Sequence, residues 1–260
     1  MKHFLLWPLL FLALVARVAD AGTLVEAAYD GKLKEVEAHV SAGIPIDVIQ
    51  EPGLSALSAA AFSGQYPVAK WLIEAGASID LPAGQWRNTP LLYALSPMVT
   101  LDAVVDPAGA KALETARAWE KRRIVALLLN HGASVTYKND LGDTALTIAC
   151  AGGDIATPLI IKNILRRDAG IDAINRFGRT ALMQATFYRK HQLMSVLLDR
   201  GADVAIADDQ GRSALDIALA HDDEIAVALI CRRSRAGVAR LTECQRWYEK
   251  DRKRPALMLP

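Results

Sequence analysis

The sequence predicts an all-α chain, a solenoid of about six helix-turn-helix repeats with short hairpin turns, preceded by a signal peptide. Three observations predict it. A Gly-x-Thr/Ser-x-Leu element recurs at near-constant spacing along the 260 residues. A second landmark, built on Ala-Gly or His-Gly, keeps the same phase. Hydrophobic residues make up 52% of the chain, enough to give every unit an apolar face that only a neighbouring unit can cover.

The chain opens with Lys2, an apolar run from Phe4 to Ala16, and small residues at Ala19 and Ala21. That is the build of a secretory signal over residues 1–21, with cleavage expected after Ala21. The run is too short for the roughly 20 residues that cross a hydrocarbon core as a helix. An uncleaved anchor is the alternative, because Arg17 and Asp20 lie close to the cut. No later stretch is long and apolar enough to span a membrane, so a soluble, periplasmic or secreted mature chain is expected.

The recurring element reads Gly53-Leu54-Ser55-Ala56-Leu57, Gly142-Asp143-Thr144-Ala145-Leu146, Gly178-Arg179-Thr180-Ala181-Leu182 and Gly211-Arg212-Ser213-Ala214-Leu215. A further copy, Asn88-Thr89-Pro90-Leu91, has Arg87 in the glycine position, and a truncated first unit begins at Leu24. The leucines Leu24, Leu57, Leu91, Leu146, Leu182 and Leu215 are separated by 33, 34, 55, 36 and 33 residues. The second landmark follows as Ala42-Gly43, Ala75-Gly76-Ala77, His131-Gly132-Ala133 and Arg200-Gly201-Ala202. The units run over residues 22–52, 53–83, 84–138, 139–174, 175–207 and 208–230.

Thr or Ser before each first helix can cap it, and Pro90 suits a first helical position. Ala27, Ala60, Ala149, Ala185 and Ala218 follow the leucines by three. They share the leucine face and let neighbouring helices come close. Second helices are bulkier, as in Ile124 to Leu129, and glycine supplies the left-handed turn that ends them.

This phase-locked pattern resembles the ankyrin repeat family, whose period is about 33 residues. The resemblance covers residues 22–230, nearly all of the expected mature chain. It implies a non-enzymatic protein-protein interaction module, similar to exported bacterial ankyrin proteins, that binds a partner on its concave face.

Three departures stand out. The third unit carries an insertion over 96–119, in which Asp106-Pro107 starts a helix and Lys111 to Asn130 reads as one continuous helix with a surface loop before it. In unit four, Arg166 to Asp172 replaces the usual ending, and its hairpin turn is expected to be two residues shorter than the others. After Ile230 the chain leaves the repeat for a basic cap or tail over 231–260, with nine Lys and Arg against three acids.

Signals for chemistry are sparse. No two of His39, His131, His191 and His221 are near neighbours in sequence, and none is matched with a nucleophile, so no catalytic residue is assigned. The acids at Asp208-Asp209 and Asp222 to Glu224 sit where helix starts and turns favour acids. Ala151-Gly152-Gly153-Asp154 lacks the Gly-Lys-Ser/Thr ending of a phosphate loop. No metal, cofactor or nucleic-acid role is expected. Cys231 and Cys244 close a 14-residue loop, for which a bridge contributes roughly 3 kcal/mol. Cys150 reads as a core side chain.

Mapped on the family pattern, outward positions of the first helices hold Tyr29, Phe62, Tyr93, Phe187 and Tyr188, and the hairpin tips add Trp86, Tyr137 and Phe177. Large apolar side chains on a rigid surface are the material of protein hot spots. These eight residues form the expected protein-binding surface. Packing onto neighbouring repeats is the competing assignment, above all for Ile148 and Ile217. The expected partner is a protein and the chain a monomer. An immunity or inhibitor role in the periplasm is the specific form favoured. The alternative is a redox or stress-protective accessory using Cys231 and Cys244, and an enzyme ranks last.

Overall fold

The computed structural model describes residues 23–97, 107–152, 155–234 and Cys244. The signal-like leader, the loop before the insertion helix and nearly all of the basic tail lie outside them. Twelve helices follow one another among the described residues. Inner helices are α1 (Leu24–Asp30), α3 (Ala56–Ser63), α5 (Pro90–Leu95), α7 (Ala145–Ala151), α9 (Ala181–Phe187) and α11 (Ala214–Ala220). Each pairs with an outer helix, in order α2 (Leu33–Ser41), α4 (Tyr66–Glu74), α6 (Pro107–Asn130), α8 (Pro158–Leu165), α10 (His191–Asp199) and α12 (Glu224–Ser234). No described residue belongs to a strand, and isolated bridges such as Gln50 with Leu54 and Ala83 with Asn88 close the hairpin turns, or fingers, between units.

Local chemistry fixes where the inner helices begin. The hydroxyls of Thr23, Ser55, Thr144, Thr180 and Ser213 accept the backbone N–H three residues on, each satisfying a donor the helix cannot. Thr89 caps nothing: its buried hydroxyl oxygen has no hydrogen-bond partner. Each inner helix then lays its leucine and small-residue face against the next. Leu57, Leu91, Leu146, Ala60, Ala94 and Ala149 are all buried, each leucine contributing about 2 kcal/mol by burial.

Two hydrogen-bonded ladders lock the units in register. At the finger tips, Gly84 N–H donates to Gly53 O, Asp140 N–H to the Trp86 carbonyl, Arg176 N–H to Leu141 O and Asp209 N–H to Phe177 O, at 2.7, 3.0, 2.9 and 3.2 Å. At the bases of the fingers, the carboxylates of Asp47, Asp80 and Asp172 accept the backbone N–H of Ser78, Ser134 and Asp203 in the following unit. Each pair of neighbouring fingers is thus tied twice, except that between the third and fourth the base bond is replaced by Lys138 Nζ donating to Ile174 O at 3.2 Å.

One expectation about the fingers is revised. Unit four does not have a shortened finger. Asp168 takes the left-handed conformation, φ 57°, that Gly132 and Gly201 take in their units, and Ala169 is buried like Ala133 and Ala202. The finger therefore has ordinary length, with aspartate in the glycine position, and Gly170 lies two residues beyond it. The second finger is instead one residue longer, since its bridge joins Ala83 to Asn88 where the first joins Gln50 to Leu54. Arg87 sits there at φ 52°.

The insertion helix is as long as expected, with α6 running 24 residues from Pro107. It does not project freely. A Cβ added at Gly64, in the turn after α3, would meet the Arg117 carbonyl oxygen and Lys121 Cγ, each at 3.3 Å, so glycine, also favoured by the φ of 81° there, lets the helix lie close. Cys231, near the end of α12, is bridged to Cys244 beyond it, with Cα atoms 5.4 Å apart, and both are buried.

Candidate protein-binding surface

The eight aromatic residues separate into three groups. At the end of the inner helices in units one to three, Phe62 is only 5% exposed and Tyr93 only 2%. Their rings meet edge to face at 6.0 Å, and the Tyr93 hydroxyl donates to Ala83 O at 3.0 Å. Burial pushes the Tyr93 hydroxyl pKa well up. The expectation that these two rings face a partner is corrected: they belong to the interior. Tyr29, in unit one at the position Phe62 holds in unit two, is half-buried, and burial raises its hydroxyl pKa against the opposing charge of Arg117.

What covers Phe62 is the insertion helix. Lys121 Nζ lies 5.1 Å from the Phe62 ring centre and donates to Ser96 O, at the end of α5, at 2.6 Å. Full burial, with Arg117 adding repulsion, lowers the lysine pKa to about 7. The helix is further held where Arg123 stacks 3.6 Å from the Tyr66 ring centre. This lysine anchor was missed in the sequence, where a Lys at a helical surface period reads as solvated.

At the far end, Phe187 is half-buried and Tyr188 is 37% exposed. Phe187 contacts the Tyr188 ring at 5.1 Å and the His221 ring at 5.0 Å. Burial raises the Tyr188 hydroxyl, again opposed by an arginine, Arg179.

The third group lies on the fingers. Trp86 and Tyr137 are half-buried and Phe177 is 43% exposed. The Tyr137 hydroxyl donates to Arg87 O at 2.9 Å, pinning the third finger to the second. Arg176 reaches back from the fourth finger to lie 5.8 Å from the Trp86 ring centre and 5.2 Å from that of Phe177. Side chains inside each tip hold this shape. Asn139 Oδ1 accepts from Leu141 and Asp143 N–H, and Asn175 Oδ1 accepts from Phe177 and Arg179 N–H. Asn139 Nδ2 donates to Asn88 Oδ1 and Asn175 Nδ2 to Asp143 Oδ1. Sequence reasoning overlooked Ile174, exposed on the fourth finger, and Arg176, whose meeting with Trp86 exists only once the fingers stack. Ile148 is half-buried and Ile217 buried, both packed against the core.

The repeat geometry agrees with the sequence comparisons. Family profiles described as "Ankyrin repeats (3 copies)" match residues 113–206 and 157–238, and one described as "Ankyrin repeat" matches 53–83. The chain belongs to the ankyrin repeat family. It is 29% identical over 209 residues to human ankyrin repeat and SOCS box protein 16, covering 78% of this chain and 41% of that protein. It is 25% identical over 211 residues to the ankyrin repeat protein YahD of Escherichia coli (strain K12), covering 78% and 92%. The chain spans only about two fifths of the human relative's length. Among solved structures, an ankyrin repeat domain from Acinetobacter baumannii AYE superposes with a TM-score of 0.63 at 24% identity, covering 81% of this chain and 97% of that one. A chain from the complex of Bd0816 predatory endopeptidase with immunity protein Bd3460, of Bdellovibrio bacteriovorus, gives 0.62 at 25%, covering 81% and 98%.

As an ankyrin repeat protein the chain is a protein-protein interaction module. Its titratable pairs act as staples. His191 Nε2 lies 2.7 Å from an Asp223 oxygen, and that carboxylate also accepts Ala226 N–H at 3.1 Å. The pair ties α10 to the start of α12, and no hydroxyl or thiol bonds the imidazole among the described residues. Burial pushes the Cys150 thiol up to about 12, far from the thiolate form a nucleophile needs.

Proposed function

We propose that this is an exported ankyrin repeat protein that acts as a monomer in the bacterial periplasm, binding one partner protein across its fingers and the adjoining inner-helix ends as an immunity or inhibitor protein. The observation that carries the reading is the aromatic ridge of Trp86, Tyr137 and Phe177, held rigid by backbone bonds between fingers. One exposed and two half-buried rings on a preorganised frame lose little entropy on binding. Export is supported by the signal-like leader and by the Cys231–Cys244 bridge, since disulfides persist in oxidising compartments. The inhibitor form draws on the similarity to a chain of an endopeptidase–immunity complex. Burial of both bridged cysteines favours a structural staple over a cycling redox pair.

Fractionation of cells expressing the full gene tests the location, and coexpression with effector genes adjacent to it tests the inhibitor role. Recovery of the mature chain in the periplasm, bound to one such effector and suppressing it, is expected. A cytoplasmic chain with its leader intact, or an effector equally active with and without it, would overturn the reading.

A further inference from the structure

The finger ridge carries charge as well as apolar area. Tips two to four present Arg87, Lys138 and Arg176, all exposed, with Asp140 the one exposed acid on these tips. The flanking tips carry exposed acids instead, Glu51 and Asp209, and the half-buried Arg212 of the fifth finger is paired with Asp208. Residues 23–230 as a whole hold 19 Lys and Arg against 25 Asp and Glu. The ridge is therefore a cationic, aromatic island on an anionic body. Arg176 forms no salt bridge among the described residues, although its charge reaches the buried Asp143 carboxylate, and the Trp86 and Phe177 rings flank its guanidinium. Such flanking sheds water from a guanidinium and fixes it, which strengthens a bidentate bond to a carboxylate.

We propose that this ridge recognises a protein segment in which Asp or Glu stands beside a large apolar side chain. This deepens the reading above and rests on it. The carboxylate bonds Arg176 while Arg87 and Lys138 add attraction, and the apolar side chain settles on Phe177, Ile174 and Trp86. Nucleic acid fits less well. Three cations interrupted by an acid release few counterions, and the anionic body repels a phosphate backbone. The chain's own basic tail has the wrong sign to occupy the ridge.

The test pans a random peptide library on the immobilised full-length chain, then measures selected peptides against their Asn/Gln counterparts and against oligothymidylate. Enriched peptides are expected to place an acid next to an aromatic or aliphatic residue. Amidation of the acids, or Arg176→Glu in the chain, weakens them at least about tenfold. Lys162→Glu, at an exposed position of α8, leaves them within about twofold. Enrichment without acids, indifference to Arg176→Glu, or tighter binding of oligothymidylate would overturn the inference. Peptides indifferent to Arg176→Glu but lost on Tyr188→Ala would sink it while leaving the protein-binding reading in place. Absence of any enriched peptide would count against both.

Discussion

Phe62 and Phe187 occupy the same place in their repeats, five residues after the key leucine, yet only Phe62 is interior. Their own units do not cause the difference. Phe62 ends an inner helix beside which the inserted turns of α6 lie, with Lys121 over the ring and Tyr93 against its edge. Phe187 packs partly against the core, and its ring and cation contacts are with Tyr188, His221 and Arg179. The lesson is that a repeat pattern assigns a residue its position, while a neighbour's insertion decides whether that position meets solvent. The insertion buries Phe62, and the exposed aromatic area that remains lies on the fingers and the last units.

The sharpest way to break this comparison is paired truncation. Phe62→Ser is expected to cost about 3–5 kcal/mol through the lost ring and the cavity it leaves, and Phe187→Ser about 1 kcal/mol. Urea unfolding of the two variants checks it, and equal losses would mean that α6 does not cover Phe62.

Lys121 gives the next largest effect. Its pKa falls from 10.5 to about 7 on burial, so the chain takes up a proton on unfolding anywhere between those values. Stability then rises with pH through that window, and the full penalty of the buried charge is present below about pH 7. Between pH 7 and 9 the intact chain should gain roughly 2 kcal/mol from this group. Lys121→Met should remove that slope. A variant with the same pH dependence as the parent would place the ammonium in water.

A smaller effect tests the fourth unit. Asp168→Gly should stabilise by about 0.5–1 kcal/mol, because glycine adopts the left-handed conformation without the Cβ penalty. Thermal unfolding would register it as a modest rise, whereas destabilisation would mean that the aspartate side chain holds the turn.

The register of the repeats was legible because Thr and Ser caps, leucines and turn glycines each answer a local requirement, and local requirements recur in sequence. Unit four was misread for the same reason. Gly170 looked like the turn glycine, although Asp168, two residues earlier, can take the left-handed turn. The extra residue of the second finger was hidden because Arg87 stands where a glycine was sought. Burial of Phe62 and Tyr93 was not legible, since it depends on where the inserted turns of α6 dock, and nothing local to either residue states that. The meeting of Arg176 with Trp86 likewise appears only when three fingers stand side by side.

Hydroxyl-radical footprinting of the intact chain reads the comparison most directly, because it scores each ring's access to solvent in one sample. Phe177 and Tyr188 should be modified in the native protein, Phe187 more slowly, and Phe62 and Tyr93 only on unfolding. Native modification of Phe62 as fast as that of Phe187 would contradict the covered end, and the assignment of the contact surface to the fingers with it.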